Sequence, residues 1–113
     1  MNNKDFNIHD IATLLTSSKS SQWRKDIIDS YSALFNFMKN NALLLNVEPF
    51  DDNGELKLDL IVKKSNVTED AISMYKKVIP GWFDYLARST VENKYENVSR
   101  LEKGLAKIRE TNK

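Results

Sequence analysis

The stretch QWRKDIIDSYSALFNFMKNN, residues 22–41, places Trp23, Ile27, Tyr31, Leu34, Phe35 and Met38 at steps of three and four. Side chains at that spacing return to one face of an α-helix. The other face carries Lys25, Asp29, Asn36 and Lys39, so the segment reads as a long amphipathic helix with a dry side and a wet side. Ser20 or Ser21 supplies an N-cap, and Asn40–Asn41 an end, because asparagine tolerates the left-handed conformation found at helix C-termini.

Two further segments share this period. In NVTEDAISMYKKVIPGWFDYLAR (66–88), Thr68 caps a helix with Glu69 and Asp70 in its first turn. Ala71, Ile72, Tyr75, Val78, Ile79, Trp82, Phe83 and Leu86 then keep one face through Pro80-Gly81. A proline inside a helix removes a hydrogen bond, so the unbroken period predicts a kink or two collinear helices. In VSRLEKGLAKIRE (98–110), Ser99 and Glu102 stand in capping-box register, and Val98, Leu101, Leu105 and Ile108 make a narrow apolar stripe. Gly104 at the edge of that stripe predicts close approach of another backbone. Upstream, FNIHDIATLL (6–15) reads as a short helix capped by Asn7, with Asp10 at N3, Phe6 stapled on Ile11, and Ile8, Ile11, Ala12 and Leu15 on one face. TSSKSS (16–21) reads as a loop.

Residues 43–62 follow neither rule throughout. Pro49 disfavours helix before it, Asp51-Asp52-Asn53-Gly54 is a turn signal, and Leu56, Leu58 and Leu60 alternate with Lys57 and Asp59 as in a strand. The fold expected is mainly α: a single-domain bundle of four to five helices, in which residues 43–62 either form a small β-hairpin or extend the helices. Its core should include Trp23, Ile27, Tyr31, Phe35, Ile72, Ile79, Trp82, Leu101 and Leu105. The 113 residues suit one domain spanning 1–113, with a loose N-terminus at 1–6 and a frayed tail at 110–113.

Composition narrows function by exclusion. Apolar residues at 41% and charged residues at 29% fit a globular chain. No apolar run approaches the roughly 20 residues that span a bilayer, and MNNKDFNIHD has no apolar signal core, so the expectation is a cytoplasmic protein off the membrane. With no cysteine there is no disulfide, thiolate metal site or cysteine nucleophile. A net charge of +1 does not ask for nucleic acid, and Lys63-Lys64 and Lys76-Lys77, answered by nearby acids, read as solvated surface.

No catalytic kit emerges. His9 is the only histidine. Its neighbour Asp10 does not face it on a helix, so it reads as a surface residue without a base's partner. No serine lies in a nucleophile elbow, and no glycine-rich phosphate loop exists among three scattered glycines. Trp82 and Phe83 lie on the apolar face and read as core, not as a base-stacking platform, while Tyr85 lies off that face. DDNGELKLD (51–59) lacks the calcium-loop spacing. The reading is therefore no enzyme, no cofactor and no metal. Asp51, Asp52, Glu55 and Asp59 are either solvated turn residues or an acidic face for a basic partner.

The markers PFDDNGELKLDL, SNVTED, VIPGWFDYL and NVSRLEKGLAKIRE, all within residues 41–109, resemble a group of small bacterial proteins. Some of these look like immunity proteins paired with the toxin domains of contact-dependent growth inhibition. The resemblance implies a cytoplasmic inhibitor that binds and blocks a cognate toxin domain, such as a nuclease, by protein–protein contact. The competing readings are a small helical nucleic-acid-binding regulator and a divergent hydrolase.

Overall fold

The computed structural model describes residues 7–17 and 20–111. The expected loose N-terminus with its Phe6 staple, part of the TSSKSS loop, and the last two residues of the expected frayed tail lie outside them. Glu110 and Thr111, the rest of that tail, are still helical.

The fold is mainly helical, with a two-stranded antiparallel sheet. In chain order the elements are β1 (Asn7–Asp10), α1 (Ile11–Thr16), α2 (Ser21–Asn40), β2 (Ile61–Lys63), α3 (Glu69–Lys77), α4 (Ile79–Arg88) and α5 (Ser99–Thr111), with single 3-10 turns at Lys64–Asn66 and Lys94–Glu96.

Helix α2 starts where expected: Ser20 Oγ accepts from the Trp23 N–H at 3.1 Å. Its C-terminal half is buried through Leu34, Phe35, Phe37 and Met38. Its first turns are not. Trp23 is 55% exposed, and Ile27 and Tyr31 are only partly buried. The apolar period runs past full cover: α1, the Lys94–Glu96 turn and Phe83 of α4 pack along α2, yet the first turns stay largely open. At the far end the left-handed residue is Ala42, at φ 58°, one beyond Asn41. Leu43 N–H donates to Met38 O and Ala42 N–H to Lys39 O, the paired bonds of a Schellman ending. Arg109 of α5 donates to Asn41 O at 2.7 Å, tying the two helix ends together.

Residues 7–10 form a strand, not the start of a helix. β1 pairs with β2 in the register Asn7↔Lys63, His9↔Val62 and Asp10↔Ile61, with an irregularity between Asn7 and His9. The cap of α1 is therefore Asp10, which accepts from Thr13 N–H at 3.2 Å, and not Asn7. Ile11 and Leu15 remain one buried face.

The sheet is thus built across the chain, while the segment 43–62 itself holds only minimal pairing. Phe50 bridges Leu56 around the Asp51–Glu55 turn, and Leu44 bridges Val67. The expected alternation fails at Leu58, which is 42% exposed, while Leu56 and Leu60 are both 6% exposed. A turn at 57–60, closed by Leu60 N–H on Lys57 O at 3.2 Å, swings the chain before it enters β2.

Pro80 falls in the first turn of α4, where its missing N–H has no helical partner to lose. The chain kinks at Val78, and hydrogen bonds continue on both sides of it, from Val78 N–H to Met74 O and from Trp82 N–H to Val78 O. The core collects Ala71, Met74, Ile79, Trp82 and Leu86 from α3 and α4 with Leu101, Leu105 and Ile108 from α5. Trp82 is fully buried, and its indole N–H donates to Asn97 O at 3.1 Å. Gly104 meets not a backbone but the Val78 side chain: a Cβ there would lie 2.5 Å from Val78 Cγ1. Ser99 is the first residue of α5 and so lies inside the helix, not at its cap; Asn97 Oδ1 accepts from both its N–H and its hydroxyl.

Candidate functional site

The acidic turn is held by its own backbone. Asp51 Oδ1 accepts from Asn53 N–H at 2.8 Å and from Glu55 N–H at 3.0 Å. Asp51 N–H donates to Glu55 O, Gly54 N–H to Asp51 O, and Gly54 takes φ 78°, where a side chain would be strained. Asp51 thus acts as an Asx-type staple and keeps the loop in one shape. Asp52, Glu55 and Asp59 are exposed and make no ion pair among the described residues.

The four predicted acids do not share one face. Asp51 and Asp52 border a groove of about 1040 Å³ beside the C-terminal half of α2. Asp51, Glu55 and Asp59 border a second depression of about 640 Å³ against Ile28 and Ser32. Asp51 stands on the rim between them.

The larger groove gathers acids that sequence reasoning did not connect. Glu48 precedes the turn, Glu96 sits on the Lys94–Glu96 turn, and Glu102 projects from α5, so among the described residues five carboxylates line the groove against one cation, Lys39. That lysine is engaged with Glu48 at 2.8 Å and stands 6.0 Å from the Phe50 ring centroid. The hydrogen bond from Lys39, reinforced by that from Phe50 N–H, holds the Glu48 carboxyl below its ordinary range. The Lys94–Glu96 turn is pinned to α2 because Tyr95 Oη donates to Asp26 Oδ1 at 3.0 Å; desolvation and then the Asp26 carboxylate push that phenol up to about 12. Phe50 and Tyr95 give the groove an apolar border inside its acidic rim.

His9 is half-buried, not the exposed surface residue expected. Its ring packs against Tyr31, Phe35 and Tyr75 at centroid distances of 5.0, 5.3 and 5.3 Å, and Nε2 lies 2.7 Å from Tyr75 Oη. Tyr75 Oη in turn donates to Met38 Sδ at 3.6 Å. Burial lowers the His9 pKa to about 4 and raises that of Tyr75, so both are neutral near pH 7. The neighbouring Asp10 serves α1 as its cap, so the two residues do separate work. Only the strand pairing at 7–10 aims His9 inward, and the helical reading of that segment concealed it.

Among the described residues no group of three or more His, Cys, Asp or Glu is placed to hold a metal ion, and no helix is long and apolar enough to cross a membrane. No protein-family model, no curated protein and no solved structure matches this chain.

Proposed function

We propose that this protein is a toxin-neutralising immunity protein that meets a basic surface of its cognate toxin domain with the groove between the Asp51–Glu55 turn, α2 and the start of α5. The observation that carries the reading is the convergence of Glu48, Asp51, Asp52, Glu96 and Glu102 on one groove whose single cation is already paired. Clustered carboxylates of this kind attract lysine- and arginine-rich surfaces, as on a nuclease that grips phosphate, and raise the association rate. Phe50 and Tyr95 supply the apolar contact that acids alone lack. The resemblance of residues 41–109 to immunity proteins supports the same reading, and the protein would act in the cytoplasm, where such toxin domains are delivered.

The test is growth rescue. A toxin domain recovered by affinity pull-down on this protein from its native host is expressed with this protein, with the triple variant Asp52→Asn/Glu96→Gln/Glu102→Gln, or alone. Rescue by the parent chain that the triple variant weakens supports the reading. Equal killing with and without the parent chain overturns it.

A further inference from the structure

The net charge of +1 conceals a separation of charge across α5. Glu102 faces the acidic groove, while Arg100, Lys103 and Lys107 face a different groove of about 570 Å³, formed where α5 packs across the junction of α3 and α4. Lys77, at the end of α3, adds a fourth cation, and among the described residues no carboxylate lines this groove. None of the four is within ion-pair distance of an acid among the described residues; the pairs there are Lys25–Asp29, Lys39–Glu48, Arg88–Asp84 and Arg109–Asp70. The expectation that Lys77 is answered by nearby acids is not met. The groove is shaped by tight packing beneath it, since Gly104 admits the Val78 side chain where a Cβ would clash, and the buried Trp82 forms its floor.

We infer that this groove binds single-stranded nucleic acid through its phosphates, with Arg100, Lys103 and Lys107 on one wall and Lys77 on the other. The inference rests on a different surface from the acidic groove and does not depend on the immunity reading. Positions 100, 103 and 107 lie along one side of α5 and span about 10 Å at ~1.5 Å rise per residue. A row of that length can track a short stretch of one strand's sugar-phosphate backbone. The Arg100 guanidinium lies 5.7 Å from the Tyr85 ring centroid, and Tyr85 Oη accepts from Asn97 at 3.3 Å, so a planar cation stands beside an aromatic ring at one end of the row. A base can stack on such a plane, whereas an acidic peptide matches the charge and leaves the stacking surface unused. Binding of this kind is weak and indifferent to sequence, on the order of 10⁻⁴–10⁻⁶ M.

Fluorescence anisotropy of labelled oligo-dT and oligo-rU with the full chain, across a salt series, tests the inference. Four phosphate contacts predict a slope of log K against log salt near −3, from about −0.7 per contact on single strands. Lys103→Gln/Lys107→Gln should flatten that slope by about 1.4 and weaken binding severalfold at low salt. The control Lys63→Gln/Lys64→Gln removes the same charge elsewhere and should keep the parent slope. Circular dichroism melts confirm that each variant folds. No binding at low salt, or equal losses in both double variants, overturns the inference. Displacement of the oligonucleotide by poly-glutamate at equal charge concentration assigns the groove to acidic peptides instead. A mass increase reversed by salt assigns it to the acidic groove of a second copy, and either result also overturns the inference.

Discussion

The aromatic interior around His9 and the carboxylate groove beside α2 both concentrate titratable groups, and they are built in opposite ways. His9 and Tyr75 sit among Tyr31, Phe35 and Met38, satisfied by each other and kept neutral by desolvation. The groove acids stand in water on a frame of backbone hydrogen bonds, with Asp51 serving the frame. Ionisation in the interior acts against the fold. Ionisation at the groove costs the fold little and leaves charge available to a partner.

The largest effects should come from the dry side. Leu105 is 3% exposed in the stripe that docks α5, and α5 forms a wall of both the acidic and the basic groove. Leu105→Ala should cost roughly 2–5 kcal/mol in urea unfolding. A loss below about half a kcal/mol would show that α5 is not docked.

His9 comes next and depends on pH. Its folded pKa of about 4 lies below the ordinary 6.5, so the unfolded chain takes up the proton first as pH falls. The stability tied to neutral His9 is complete above pH 6.5 and drains away between 6.5 and 4, by about 3 kcal/mol at most at ~1.36 kcal/mol per unit. Unfolding curves at steps through that window should show the slope, and His9→Phe should remove it. A parent protein equally stable at both ends of the window contradicts the buried placement of His9.

Asp51 is the exception among the groove acids and sharpens the comparison. Because its Oδ1 accepts two backbone N–H groups, Asp51→Ala should cost about 1 kcal/mol. Asp51→Asn retains an acceptor oxygen and should cost less. Equal losses for the two would assign the effect to charge and not to the hydrogen bonds.

Legibility in the sequence followed the range of the forces involved. The helices containing Phe35, Trp82 and Leu105 were readable because the helical period is a local property, and a break near Pro80 was readable because its effect is local too, although Pro80 opens α4 and does not interrupt a helix. Residues 7–10 were misread because Ile8, Ile11 and Leu15 satisfy helical spacing, whereas the edge that recruits them, Ile61–Lys63, lies far along the chain. Trp23 was misassigned to the core for a related reason: periodicity marks a face but not what covers it. The exposure of Asp52, Glu55 and Asp59 was readable from the turn signal. Their division between two depressions was not, and neither was the arrival of Glu48, Glu96 and Glu102, which come from separate segments joined only by packing. The basic groove was invisible for the same reason, since charges three and four apart on α5 join Lys77 only after α3 docks on α5.

The smallest expected change in stability belongs to the variant that tests the account most directly. Asp52→Asn/Glu96→Gln/Glu102→Gln removes three groove carboxylates and leaves Asp51 and the Lys39–Glu48 pair in place. Each exposed site should alter stability by no more than ~0.5 kcal/mol. Stopped-flow association with the cognate toxin domain is then measured alongside the melting temperature, from low to high salt. The melt should be nearly unchanged and the association rate severalfold slower at low salt, converging with the parent as salt screens the groove. A parental rate with parental salt dependence, or a melt that collapses, would contradict the division between acids that bind and residues that fold.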